Sequence, residues 1–222
     1  MSILQLQDVY FSYKNKYQTN EVLKGLTAEF SEGKIYALTG KSGSGKSTAL
    51  ALMAGLELPE RGAVLYEGVS TREMDLNCYR REKAAVIYQS FRLFPLLTAL
   101  ENVMFPMGLR GIKGRSAMEQ AKEYIRRVGL EDTVFHRFPN MMSGGEQQRV
   151  AIARSLAMDT KLLLADEPTG NLDTANSENV MEILCGLAHE DGYCVILVTH
   201  DMGLLGYVDE VYQMQDGKFT KQ

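Results

Sequence analysis

The nine residues "GKSGSGKST", Gly40 to Thr48, constrain this chain more than any other stretch. They read Gly, four residues, then Gly-Lys-Ser. The buried-strand pattern "KIYALT" precedes them, and the helical pattern "KSTALALMAG", closed by Gly55, overlaps and follows them. Glycines in such a loop let successive backbone N–H groups turn inward around an oxyanion, and the dipole of the following helix adds to the attraction. Lys46 supplies a point charge for β and γ phosphates, and Ser47 is placed to hold Mg²⁺. The loop therefore predicts the strand–loop–helix entry unit of an α/β fold. It also predicts a nucleoside triphosphate site built from Gly40, Ser42, Gly43, Gly45, Lys46, Ser47 and Thr48.

The rest of the chain continues the α/β pattern. "AAVIYQ", "KLLLAD" and "CVILVTH" are short apolar runs bounded by polar residues, as strands covered on both faces require. Val180, Ile183, Leu184 and Leu187 mark a helix between the last two, so the sheet is expected to be mostly parallel. Near the N-terminus "LQLQDV" and "LTAEF" alternate as strands of an antiparallel β subdomain, joined by the polar loop "YKNKYQTN". From Gln89 to about Met158 the pattern is helical, with Pro95, Pro106 and Pro139 breaking it. The expected organisation is one domain, 1–222: an α/β core of 1–88 and 159–222, and a helical insert of 89–158. Asp216-Gly217, between alternating residues, is a hairpin signal.

Composition excludes several classes. With 24 basic and 28 acidic residues the net charge is −4, which offers no overall electrostatic grip on nucleic acid. Three cysteines without a CxxC pair argue against a disulfide framework and fit a reducing compartment. The start "MSILQLQDVY" lacks the signal-peptide pattern. Phe91 to Leu109, the most apolar longer stretch, carries Arg92, Glu101, Asn102 and two prolines and would span a membrane poorly. Any membrane role must then pass through another chain.

"LLLADEP" supplies carboxylates at a strand's C-terminal end, where parallel sheets bind ligands. Asp166 would reach a metal through its shell; Glu167, facing differently, would orient or deprotonate an attacking water. His200, ending "VILVTH", reaches the same edge, whereas His136 and His189 read as loop or surface residues. Gln89 follows "AVIY", and its neutral amide suits a metal or water contact that can be made and released.

In "MMSGGEQQRV", Ser143 and Glu146 form a capping box, yet Gly144 and Gly145 each cost a helix about 1 kcal/mol against alanine. "SAMEQ" from Ser116 repeats Ser-x-x-Glu without glycines and serves as a control. Something is therefore expected to approach the backbone at 144–145, and an anion at a helix N-terminus fits.

This ordered set of motifs resembles the ATP-binding subunit of ABC transporters over the whole chain. The resemblance implies a P-loop NTPase core and an ATPase using ATP and Mg²⁺, whose helical insert carries the signature "SGGEQ". In that family two copies pair head to tail. Ser143, Gly144 and Gly145 would then meet the nucleotide of the other copy, with Ser143 and Gly145 at the γ-phosphate. The resemblance also implies that Tyr13 stacks on adenine, Gln89 is the Q-loop residue and a metal contact, Asn171-Leu172-Asp173 form the D-loop, and His200 is the switch histidine. A separate transmembrane permease would dock near Phe91, Phe94 and Leu97, with the chain peripheral on the cytoplasmic face of the membrane. "ADEPTGNLD" and "LTALENV" further resemble a subgroup of lipoprotein-releasing, macrolide and antimicrobial-peptide exporters and the cell-division ATPase. The implied function is powering an exporter; the alternative is regulatory signalling through a membrane partner. Lys41, Met142 and "GYVDEV" depart from the usual pattern without removing a catalytic group.

Overall fold

Two sheets carry the fold in the computed structural model, which describes residues 2–14 and 18–222. In the first, β1 (Ser2–Lys14) lies between β2 (Thr19–Ser31) and β4 (Arg61–Tyr66), and β5 (Val69–Ser70) completes the order β2-β1-β4-β5, antiparallel throughout. The expected polar loop at 13–20 is shorter than its composition suggests: Tyr13 pairs with Asn20 and Lys14 with Thr19. A ladder is held by backbone groups, so it continues where side chains are solvated. Residues 15–17 of that loop lie outside the described residues.

The second sheet has the order β10-β9-β3-β8-β7-β6, formed by β3 (Lys34–Thr39), β6 (Ala84–Tyr88), β7 (Leu162–Asp166), β8 (Cys194–Val198), β9 (Glu210–Gln215) and β10 (Lys218–Lys221). All pairs are parallel except β9–β10. Their turn is Asp216-Gly217, at φ 50° and 76°, the left-handed pair that a two-residue hairpin demands. Strand periodicity divides the core. Ile35 and Ala37 of β3 face one way and Tyr36 and Leu38 the other, into two separate apolar clusters.

Among the described residues six α-helices cover the parallel sheet and the insert: α1 (Lys46–Met53), α2 (Leu76–Glu82), α3 (Ala99–Leu109), α4 (Gly114–Arg127), α5 (Gly144–Leu156) and α6 (Thr174–His189). Leu50 and Met53 of α1 join Leu4, Leu6 and Phe30 of the antiparallel sheet on one face. On the other, Val103, Ile125, Val150 and Leu184, from α3 to α6, pack on Ile35, Ala85 and Ile87.

Two expectations about helix ends need correction. Pro106 does not break the insert but sits inside α3. It falls in the last turns, where one missing amide costs little and buried neighbours Val103 and Met107 hold the helix. Ser116 is not a cap, because α4 begins at Gly114 behind Lys113; Ser116 Oγ instead accepts from Gln120 Nε2 at 3.0 Å. The genuine counterpart of the Ser143 box is Thr98. Its amide donates to Glu101 Oε2 at 2.8 Å, and its Oγ1 accepts from Glu101 N at 3.3 Å.

Candidate functional site

The phosphate-binding loop leaves β3 and enters α1 through Gly45, at φ 108°. A Cβ there would lie 3.0–3.2 Å from Leu23, Val22 and Met214, so both the backbone angle and the packing select glycine. Lys46 is buried, and its Nζ donates to Gly40 O at 2.8 Å and Lys41 O at 3.0 Å, bracing the loop. Ser42, Gly43, Gly45, Lys46, Ser47 and Thr48 line a cleft of about 570 Å³ together with Tyr13, Asn20 and Val22, and Glu167 and His200 close it. Tyr13 stands half exposed at the rim, edge-on to Phe11 at 5.0 Å, with its hydroxyl 3.5 Å from Thr48 Oγ1. Gly40 belongs to the loop but faces Met214 O, where a Cβ would come within 2.4 Å.

At the carboxyl end of β7, Asp166 Oδ1 accepts from Ser47 Oγ at 3.2 Å. Burial pushes the Asp166 carboxyl above the usual range, partly opposed by that hydrogen bond. Glu167 is left-handed at φ 48°, an angle that costs a non-glycine residue about 1–2 kcal/mol. Its amide is tied to Val198 O at 3.0 Å. Thus held, its Oε1 lies 3.1 Å from Nδ1 of His200. His200 does not end the strand: β8 stops at Val198, and the exposed imidazole follows the buried Thr199 on the connecting loop.

Among the described residues no three His, Cys, Asp or Glu side chains form a metal-holding group. One carboxylate beside one hydroxyl, Asp166 with Ser47, suits a hard cation that keeps waters and takes phosphate oxygens as ligands, which is how Mg²⁺ binds. Gln89 does not line this cleft. It packs on Gly170 and exchanges hydrogen bonds with Asn171: Nε2 to Oδ1 at 3.4 Å, and Asn171 Nδ2 to Gln89 O at 3.1 Å. Asp173 caps α6, accepting from Asn176 N at 2.8 Å, and the Asn176 bonds hold its carboxyl below the usual range.

Ser143 and Glu146 form the expected capping box on α5, Ser143 N to Glu146 Oε2 at 2.7 Å and Glu146 N to Ser143 Oγ at 3.2 Å. The two glycines divide. A Cβ on Gly145 would sit 2.1 Å from Asn176 Oδ1, so α6 of the same chain is what approaches that backbone. Packing within the chain thus accounts for Gly145, where the sequence pattern pointed only to an anion. A Cβ on Gly144 would meet nothing closer than 3.5 Å, and packing does not account for it. None of Ser143, Gly144 and Gly145 lines the cleft of their own chain.

Of Phe91, Phe94 and Leu97, Phe94 lines a groove of about 440 Å³ with Phe105, Pro106, Leu109 and Met158, flanked by Arg80, Arg81 and Arg154. Phe91 turns instead toward Gly144. Leu97, half-buried, closes the turn onto Phe94 O at 3.2 Å. Phe105 and Leu109, not singled out beside Phe91, Phe94 and Leu97, are both exposed on this groove.

Fold and cleft together define a P-loop protein that binds a nucleoside triphosphate at the carboxyl edge of a parallel sheet. The profile described as ABC transporter matches residues 23–170, and the chain belongs to that family. It is 40% identical over 220 residues to the lipoprotein-releasing system ATP-binding protein LolD of Geobacter metallireducens, covering 98% of this chain and 97% of that protein. It is 37% identical to the ABC transporter ATP-binding protein YclH of Bacillus subtilis, covering 99% and 96%. Its fold is similar to the ATP-binding cassette MJ0796 of Methanocaldococcus jannaschii, solved as a dimer in a post-hydrolysis state bound to ADP and Pi. The TM-score is 0.90 at 36% identity, covering 99% of this chain and 97% of that one.

Proposed function

We propose that this chain is the ATP-hydrolysing subunit that powers a separate membrane permease of the exporter class, working as a head-to-tail pair of copies. The LolD relatives, named for lipoprotein release, favour lipoprotein cargo within the lipoprotein, peptide or drug class that the motifs resemble. The observation that carries the reading is a division of parts. The loop, Glu167 and His200 line one cleft and Asp166 is bonded to its Ser47, while the Ser143 helix end lies outside it. A second copy supplies that missing wall, as the dimeric relative supports. Residues 89–158 then act as a helical subdomain that brings Ser143, Gly144 and Gly145 to the partner's nucleotide.

Within each cleft Tyr13 stacks on adenine, and the loop amides with Lys46 hold the phosphates. Ser47 and Asp166, joined by Gln89 on closure, would hold Mg²⁺, which when bound would supply charge neutralisation to the phosphates. Glu167 orients and deprotonates the attacking water, and His200, 3.1 Å from its carboxylate, keeps that carboxylate aimed and contacts the γ-phosphate. Asp173 contributes from the partner-facing loop while capping α6. The groove at Phe94 receives the permease. The chain then sits on the cytoplasmic face through that permease; no helix among the described residues is long and apolar enough to cross a membrane.

Phosphate release from Mg·ATP tests this directly. Wild type is expected to turn over, and Glu167→Gln to lose on the order of a hundredfold or more while binding ATP as before, as expected for a general base. Unchanged turnover in Glu167→Gln would remove the assignment.

A further inference from the structure

Arg154, near the end of α5, is a largely buried cation that the nucleotide cleft does not use. Burial lowers its proton affinity relative to an ordinary arginine. Among the described residues it makes no ion pair with a carboxylate; its partners are two consecutive backbone carbonyls, Arg92 O at 2.6 Å and Phe91 O at 3.2 Å. Both residues are left-handed, at φ 58° for Phe91 and 47° for Arg92, a conformation that non-glycine residues keep only when their surroundings impose it. A planar fork is suited to two carbonyls at once, and its bonds are charge-assisted.

The gripped turn is short and lies between functional parts. Two residues before Phe91 stands Gln89, whose carbonyl accepts from Asn171 Nδ2 at 3.1 Å. Phe91 Cζ lies 3.7 Å from where a side chain on Gly144 would begin, so the ring of residue 91 faces the first turn of α5 while its carbonyl is bonded from the last turn. The Arg92 guanidinium folds back over Tyr88, the last residue of β6, 3.7 Å from the ring centre. Arg154 also borders the apolar groove with Phe94, Phe105 and Leu109.

We propose that Arg154 is a positioning residue for hydrolysis: its fork clamps the Phe91–Arg92 turn to α5, so that Gln89, the Ser143 end of α5 and the groove wall move as one body. This rests on the ATPase reading given above. It assigns to one side chain the link between the groove, where the permease docks, and the residues that complete the nucleotide site. Lysine cannot replace the fork, because a single ammonium on a flexible stem does not hold two carbonyls in fixed geometry.

The test measures ATP affinity, KM and kcat for wild type, Arg154→Met, Arg154→Lys and the control Arg126→Met, which removes a surface arginine paired with Asp132 and Glu123. Arg154→Met is expected to bind ATP within about twofold of wild type and to lose kcat on the order of ten- to a hundredfold, the effect of misplacing a reacting group. Arg154→Lys should fall between, and Arg126→Met should match wild type. A folded Arg154→Met with normal kcat overturns the proposal, as does one that loses ATP binding and kcat together. If Arg154→Met fails to fold, Arg154→Lys decides: reduced kcat with retained ATP affinity supports the clamp, and normal kcat overturns it. Absence of turnover in wild type would instead overturn the ATPase reading, and the clamp with it.

Discussion

At the residue scale, the tension in the site is concentrated on Asp166. A half-buried carboxylate has its pKa raised when desolvation outweighs its one hydroxyl donor, Ser47 Oγ. A carboxyl whose folded pKa lies above its unfolded value contributes stability below the unfolded pKa and loses it as pH rises through the folded one. The ionised Asp166 of the nucleotide-free protein is therefore a burden at neutral pH. Asp166→Asn is expected to raise thermal stability at pH 7 and to abolish Mg²⁺-dependent turnover. The stability gap should shrink as pH falls through the raised Asp166 value. Thermal melts from pH 4 to 8 check this; a variant less stable than wild type at pH 7 would contradict it. Lys46, Ser47, Asp166 and Glu167 were legible in the sequence because phosphate and metal chemistry demands those residue types at strand ends. Arg154 was not, because carbonyl partners leave no trace in residue type and its turn is left-handed without glycine.

At the scale of elements, α3 and α5 begin alike and differ in one respect. Thr98 and Ser143 both make full capping boxes, but α3 follows its cap with Ala99 and Leu100, buried in the insert, where α5 has Gly144 and Gly145. The Ser116 pattern, which looked like the natural comparison, failed because α4 starts two residues earlier and capping depends on where a helix begins. Gly145 is explained by Asn176 of the same chain and Gly144 is not. Gly144→Ala should accordingly stabilise the isolated chain by up to about 1 kcal/mol through helix propensity while reducing turnover. Gly145→Ala, forced against Asn176, should destabilise it. Denaturant midpoints with phosphate release distinguish the two; full turnover in a stabilised Gly144→Ala would remove the case for a nucleotide contact there. The strands of the parallel sheet were readable as buried apolar runs, whereas α2 and the β4–β5 hairpin carried too short a pattern to register.

At the scale of the whole molecule, the two apolar clusters on opposite faces of one sheet divide the work. One fixes the antiparallel sheet and α1 behind the cleft; the other fixes the insert that holds α5. The fold thereby places the phosphate loop, Glu167 and His200 at the sheet edge and leaves the Ser143 end of α5 outside that cleft, as the proposed pairing of copies requires. The antiparallel subdomain and the helical insert were visible in the periodicity, whereas the separation of the halves was expected only through the family resemblance, since periodicity does not say how 89–158 packs on the sheet. The most direct test of this division is the mass of Glu167→Gln in solution by light scattering, with and without ATP. ATP is expected to convert one chain into a two-chain species, and adding Ser143→Arg should return it to a single chain that still binds ATP. A Glu167→Gln protein that remains a single chain while saturated with ATP would contradict the account.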